Sequence, residues 1–323
     1  MTKKRDLSVD LLKTIAAILI VNSHAEVLYP DSIRALATGG GIGDSLFFYC
    51  SGLLLFGTTA GFGFLNWYKK RINRIFPVVF GALIISSVFN ASFTIPIANL
   101  FFIKGAWFVS CIMIYYAAYY FIDHYFPQYF IHIAIVVFAL SWLWFVVENA
   151  NAPLQVNAST NKIGWLWYFI SFLAGAYSGK IAKLPKIKLW ISIPAFFICV
   201  GLYYFFHGAY LSKWHNFQLF LVPALTATSM LARIIVSGNG KIQALLEKYP
   251  APFRAVSTLT LNIYLLHTLT FNFCKEIVFP LNILAMYVAT FGLAYLLQIF
   301  VNFFIQTMNK NSVYDWRAMI KLC

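Results

Sequence analysis

Apolar residues run through this chain in long, nearly unbroken stretches, separated by short polar segments. Ten such stretches can be drawn, near 8–28, 42–62, 77–97, 106–126, 129–147, 163–180, 189–207, 217–236, 256–279 and 282–308. None shows the strict apolar–polar alternation of a half-buried strand, and each is close to the roughly 20 residues that a helix needs to cross a bilayer. The pattern predicts an all-α polytopic membrane protein with about ten transmembrane helices, forming a single transmembrane domain over 1–323. Between the eighth and ninth stretches lies the amphipathic run KIQALLEKY, which reads as a short interfacial helix.

Composition agrees with the pattern. Of 323 residues, 61% are hydrophobic and 11% charged, whereas a soluble domain is about half apolar and about a quarter charged. A disordered chain, a disulfide scaffold and an ordinary soluble enzyme are all excluded. The five cysteines are scattered, with no CxxC pair and no metal-ligand spacing.

The net charge of +14 gives the spans a direction. Basic residues collect in cytoplasmic segments. With the N-terminus cytoplasmic and ten spans, the cytoplasmic side holds Lys3, Lys4, Arg5, Lys13, Lys69, Lys70, Arg71, Arg74, Lys180, Lys183, Lys186, Lys188, Arg233, Lys241, Lys248, Arg254, Lys310, Arg317 and Lys321. That is 19 of the 24, against Arg34, Lys104, Lys162, Lys213 and Lys275 outside. The expectation is a multi-pass protein of the inner (plasma) membrane with both termini cytoplasmic and with membrane lipids as its surroundings. Nucleic acid is not an expected partner, because the basic residues lie between apolar spans rather than on one face of a domain. The first stretch follows a basic cluster as a signal peptide would, but it is long and lacks a small-x-small cleavage site, so it reads as a retained helix.

Polar groups inside a membrane helix are costly and usually face a cavity or a partner. The first span holds Asp10, Lys13 and His24. Lys13 and His24 are 11 residues apart, three helical turns, so they share a face at an axial separation of about 16 Å. Asp10 is placed to pair with Lys13, and Ala17 on the same stripe leaves room for a ligand or a close neighbour. Capping of the inner end by Asp10 and Lys13, with His24 reaching toward the outer headgroups, accounts for the same pattern. In the second span Asp44 and Ser45 lie near the outer end and Ser51-Gly52 at mid-span, where small residues let helices approach. Lys70, Arg71 and Arg74 precede Pro77, expected to start the third span. They set topology at the least, and their arginines suit an anion such as a phosphate. Trp107, Ser110 and Tyr116 in the fourth span and Asn262, Tyr264 and His267 in the ninth fit packing as well as chemistry.

Taken in order, these elements resemble the acyltransferase family 3 of integral membrane acyltransferases. DLSVDLLKTIAAILIVNSH is similar to the family's opening helix, with Asp10, Ala16 and His24 on matching positions. GDSLFFYCSGLLLF matches at Phe47, Phe48, Ser51 and Gly52. KKRINRIFP matches its Arg-x-x-Arg and proline motif at Arg71, Arg74 and Pro77. WFVSCIMIYY and NIYLLH match at Trp107, Phe108, Tyr264 and His267. Three positions depart: Lys13 replaces the usual arginine, Ile112 stands where some branches have a glutamate, and Leu261 where a tyrosine is frequent.

The resemblance implies transfer of an acyl group, most often acetyl, from cytoplasmic acetyl-CoA or another acyl-CoA to a hydroxyl of a surface glycan or lipid-linked sugar. It implies His24 as the catalytic base, or as the site of a transient acyl-histidine, with His267 assisting. Lys13, Lys70, Arg71 and Arg74 would hold the cofactor phosphates, with Asp10, Asp44, Ser51, Trp107 and Tyr264 in support. No metal is implied. Two other classes fit the sequence: a transporter or flippase for a lipid-linked sugar, and a non-catalytic membrane scaffold.

Overall fold

A computed structural model describes residues 5–89, 107–151, 154–181, 185, 187–208, 214–308 and 313–322. Among the described residues there are twelve α-helices and no strand. They are α1 (Leu7–His24), α2 (Gly40–Leu55), α3 (Phe64–Phe89), α4 (Trp107–Tyr125), α5 (Phe130–Asn151), α6 (Ile163–Lys180), α7 (Leu189–Gly208), α8 (Leu221–Gly238), α9 (Gly240–Lys248), α10 (Pro250–Cys274), α11 (Leu281–Met308) and α12 (Trp316–Ile320). Short 3-10 turns follow α1 (Ala25–Leu28) and precede α8 (His215–Phe220).

Among the described residues, six helices are long and apolar enough to cross a membrane: α1 with its following turn, α3, α5, α7, α8 with its preceding turn, and α11. The four other expected spans coincide with α2, α4, α6 and α10. At 16 residues, α2 is only about 24 Å long. The length of α10 is ample, but its Asn, Thr and His residues lower its hydropathy.

Two expected boundaries are corrected. The second span was drawn to residue 62, but α2 stops at Leu55, and the following turn contains Gly57 and Gly61 at φ 74° and 76°. That left-handed backbone is open to glycine and ends the helix although the segment stays apolar. The third span was expected to begin at Pro77. Instead α3 begins at Phe64 and carries Pro77 inside it, so Lys70, Arg71 and Arg74 lie on the helix and not in a loop. The far end of that span, 90–97, lies outside the described residues.

The described chain divides into two compact units. One comprises Met1–Leu12, Asp44–Trp67 and Trp107–Lys248; the other comprises Lys13–Gly43, Tyr68–Ala106 and Tyr249–Cys323.

In the first unit, α2 packs closely on α6. A Cβ on Gly52 would collide with the carbonyl of Phe172, and one on Gly175 with the carbonyl of Tyr49. The small residues at mid-span therefore serve backbone approach. Ser45 Oγ sits at 2.9 Å from both Ser171 Oγ and Ser229 Oγ, tying α2 to α6 and α8, and Tyr49 Oη donates to Ser178 Oγ at 2.8 Å. At the start of α1, Arg5 donates two hydrogen bonds to Asp10, at 2.8 and 2.9 Å. Arg233 reaches Asp6 at 2.5 Å, and Gln243 donates to Ser8 at 2.9 Å. The last contact joins α9, the expected interfacial helix, to the rest of this unit.

In the second unit the contacts give helix directions. Lys13 meets Ser257 and His24 meets His267, so α1 and α10 run parallel. Val78 and Ala82 of α3 share a cluster with Leu266 of α10, and Phe89 lies 5.6 Å from Phe273, so α3 is parallel as well. Asn262 Nδ2 donates to the Ala294 carbonyl at 3.0 Å, while Thr270 meets Thr290 at 3.0 Å, so α11 runs antiparallel. A first, a third and a ninth crossing share a direction, and a tenth opposes them, in any chain that alternates across a membrane ten times.

Candidate functional site

The site is built in the second unit on α1 and α10. Ala17, Val21 and Ala25 pack against Leu259, Ile263 and Phe271. The small residues let the helices close together, so the room beside Ala17 is taken by a neighbouring helix. Beyond them, the rings of His24 and His267 meet with centroids 4.9 Å apart at an interplanar angle of 61°.

Each ring is oriented by its own helix. His24 Nδ1 lies 2.8 Å from the Ile20 carbonyl, and His267 Nδ1 lies 2.8 Å from the Tyr264 carbonyl. A carbonyl can only accept, so Nδ1 carries the hydrogen in both rings and the neutral imidazoles present Nε2 as a lone pair. His24 is exposed. His267 is 4% exposed, and its Nε2 is enclosed without a hydrogen-bond partner. A buried acceptor in that state costs about 1–3 kcal/mol, which suits a group awaiting a donor.

The outer end of α1 is held around this pair. Asn22 donates to the carbonyls of Leu36 and Thr38 at 2.7 and 3.1 Å and accepts from Tyr29 Oη at 2.6 Å. Asn282 donates to the Leu28 carbonyl at 2.7 Å. The segment after His24 is thus fastened on both sides.

Three turns back, the Lys13 ammonium donates to the Ser257 carbonyl at 2.6 Å. Ten residues separate Ser257 from His267, an axial distance of about 15 Å. The sequence placed Asp10 opposite Lys13; the structure gives Asp10 a bidentate partner in Arg5, a residue read only as part of the basic N-terminal cluster. A guanidinium fork suits a carboxylate better than an ammonium does.

Lys70 and Arg74 are exposed on α3, with Arg71 half-buried between them. Arg71 and Arg74 precede Val78, Ala82 and Ile85 at spacings of three and four, so they extend the α3 stripe that packs on α10 and α11. Tyr264 supplies the carbonyl that orients His267, and its ring centroid lies 6.1 Å away.

A family model described as "Acyltransferase domain" (Acyl_transf_3) matches residues 6–305. The chain belongs to this family. No curated protein and no solved structure matches it. The matched region takes in both histidines and Lys13, Lys70, Arg71 and Arg74.

The remaining site residues of this acyltransferase-family chain belong to the first unit. Asp44 Oδ1 is enclosed without a hydrogen-bond partner. Ser51 Oγ turns back to the Phe47 carbonyl of its own helix at 2.8 Å, a structural contact. Trp107 opens α4 and stacks on Tyr168 with centroids 5.8 Å apart. Sequence reasoning passed over Ser257 and Arg5. Arg5 could have been found from its distance of five residues to Asp10, the one acid within α1.

Proposed function

We propose that this membrane acyltransferase moves an acyl group, acetyl by preference, from cytoplasmic coenzyme A to a hydroxyl of a surface glycan or lipid-linked sugar. The carrying observation is the pair His24 and His267, each held by its Nδ1 so that Nε2 remains the basic atom, on an exposed ring in His24 and an enclosed one in His267.

Nε2 of His24 takes the proton of the acceptor hydroxyl as its oxygen attacks the thioester carbonyl. The resulting tetrahedral centre collapses with cleavage of the carbon–sulfur bond. The thiolate of coenzyme A leaves and receives the proton from the imidazolium, restoring His24. His267 supports the ring of His24. The donor's phosphates would rest at the basic end of the same helices, on Arg71 and Arg74 with Lys70 and Lys13 nearby. An ammonium has three N–H donors, so the Lys13 bond to Ser257 does not by itself exclude a phosphate. The reading places this end in the cytoplasm and the histidines in the outer half of the inner membrane.

The test uses the protein purified into lipid nanodiscs, with labelled acetyl-CoA and a surface-glycan fraction. Wild type should bind acetyl-CoA and label the glycan as an ester; His24→Ala should bind but not label. Failure of wild type to bind, together with sugar counterflow independent of coenzyme A, would overturn the reading in favour of a transporter.

A further inference from the structure

Asn262 stands outside the reaction of the histidine pair, yet it is 1% exposed on α10, five residues from Ser257 and five from His267. An amide buried between apolar helices is costly unless its hydrogen bonds are met. Asn262 Nδ2 donates to the Ala294 carbonyl at 3.0 Å and to Gln298 Oε1 at 3.2 Å, both on α11. Gln298 Nε2 donates in turn to Asn302 Oδ1 at 2.9 Å, and Asn302 Nδ2 to the Met319 carbonyl at 2.8 Å. Gln298 and Asn302 each accept from the carboxamide before them and donate to the group after. The ladder thus runs from α10 along α11 to α12, where Met319 is buried.

A second polar tie lies on the other side of His267. Thr270 Oγ1 is 3.0 Å from Thr290 Oγ1 of α11 and donates to the His267 carbonyl at 2.7 Å. Around these ties the contact is apolar, with Leu259 and Ile263 clustering with Met286 and Ala294, and Leu266 with Leu297. In a bilayer, apolar faces gain little by meeting one another rather than lipid, so they hold the rotation of a helix loosely. Polar ties five residues before His267 and three after it hold that rotation firmly. The carbonyls of Ile263 and Tyr264, which lie 3.3 and 2.8 Å from His267 Nδ1, follow directly after Asn262. Any turn of α10 at this level carries the ring with it, and centroids 4.9 Å apart leave little slack.

We propose that Asn262 is a positioning residue: through its ladder with Gln298 and Asn302 it fixes the rotation of α10 on α11 and so holds the His267 ring against His24. This deepens the reading of the histidine pair as the site of acyl transfer and rests on it.

Wild type, Asn262→Leu, His267→Ala and the double variant are compared in nanodiscs, since leucine keeps the branch at Cγ and removes the amide. Rates are divided by bound acetyl-CoA, with thermal melting as the folding control. Asn262→Leu should lower kcat by about tenfold, the scale of a small misplacement, and by no more than His267→Ala does. KM and acetyl-CoA affinity should stay close to wild type. In the His267→Ala background the same substitution should lower the rate no further, because its effect passes through that ring. Gln298→Leu should reproduce the loss in milder form. A normal kcat in folded Asn262→Leu, or a full further loss in the double variant, would overturn the proposal. The geometry is also read without turnover. His24→Cys and His267→Cys are placed in one chain, and mass spectrometry measures the 24–267 bridge formed by a short bifunctional thiol reagent. Adding Asn262→Leu should lower the yield severalfold; an unchanged yield would overturn the proposal as well. Should wild type transfer no acyl group while the bridge still depends on Asn262, the ladder stands and the reading of the site as an acyl-transfer centre fails.

Discussion

The ring of His267 is set against that of His24 so closely that no side chain intervenes, while both Nδ1 atoms are occupied by carbonyls one turn back on their own helices. The pair therefore combines an exposed imidazole with an enclosed one. Only the exposed ring can take a proton from an incoming hydroxyl without prior movement.

His24→Ala should lower transfer by about a hundredfold to ten-thousandfold, the usual worth of a general base. His267→Ala should lower it less, because that ring acts through its neighbour. Initial rates at saturating donor, compared with acetyl-CoA affinity in the same preparations, check both. A His24→Ala enzyme of normal rate would exclude His24 as the base.

Arg71→Gln and Arg74→Gln should each raise the dissociation constant for coenzyme A by about tenfold, with turnover at saturation nearly unchanged. Equilibrium binding and a KM-against-kcat comparison test this. Unchanged affinity in both variants would remove the phosphates from α3.

Gly52→Ala or Gly175→Ala should push α2 from α6, since the added methyl meets a carbonyl oxygen in each case. Overpacking of this kind costs about 1–3 kcal/mol. The readout is the melting temperature in detergent by fluorescence-detected gel filtration, with Gly57→Ala as a contrasting site where no neighbour is met and the cost is backbone conformation alone.

The Asp6–Arg233 pair should give stability a acid-side dependence. Burial alone would raise the Asp6 carboxyl, but the Arg233 guanidinium outweighs it and holds the group below its ordinary value of 3.8. A carboxyl lowered in the folded state contributes stability above its unfolded value and loses it as pH falls through the lowered one. Melting curves of wild type and Asp6→Asn should therefore differ at neutral pH and converge as the pH falls through the lowered value.

Much of the site was legible because a helix turns at a fixed rate. The 11-residue interval from Lys13 to His24 foretold one stripe, and the structure places partners from α10 at both ends of it. The ten apolar stretches were visible for a similar reason: hydropathy reports burial in lipid. Hydropathy says nothing of backbone conformation, so the end of α2 at Leu55 was missed although the glycines that cause it were in view. Pro77 misled because the same ring that can open a helix can also sit within one. Arg5 was not weighed as a partner for Asp10 because it lies outside the helical stretch, although its fork suits a carboxylate.

The parallel course of α1, α3 and α10 separates the arginines from the imidazoles by about 15 Å along the helix axes, and that interval works as a yardstick. A donor anchored by its phosphates delivers its acyl carbon to His24 only if a flexible arm of matching length joins the two. On the proposed function, acetyl phosphate, whose reactive carbon adjoins its charge, would be anchored at one mark and absent from the other, and selection among activated acyl groups would act by reach before any chemistry begins.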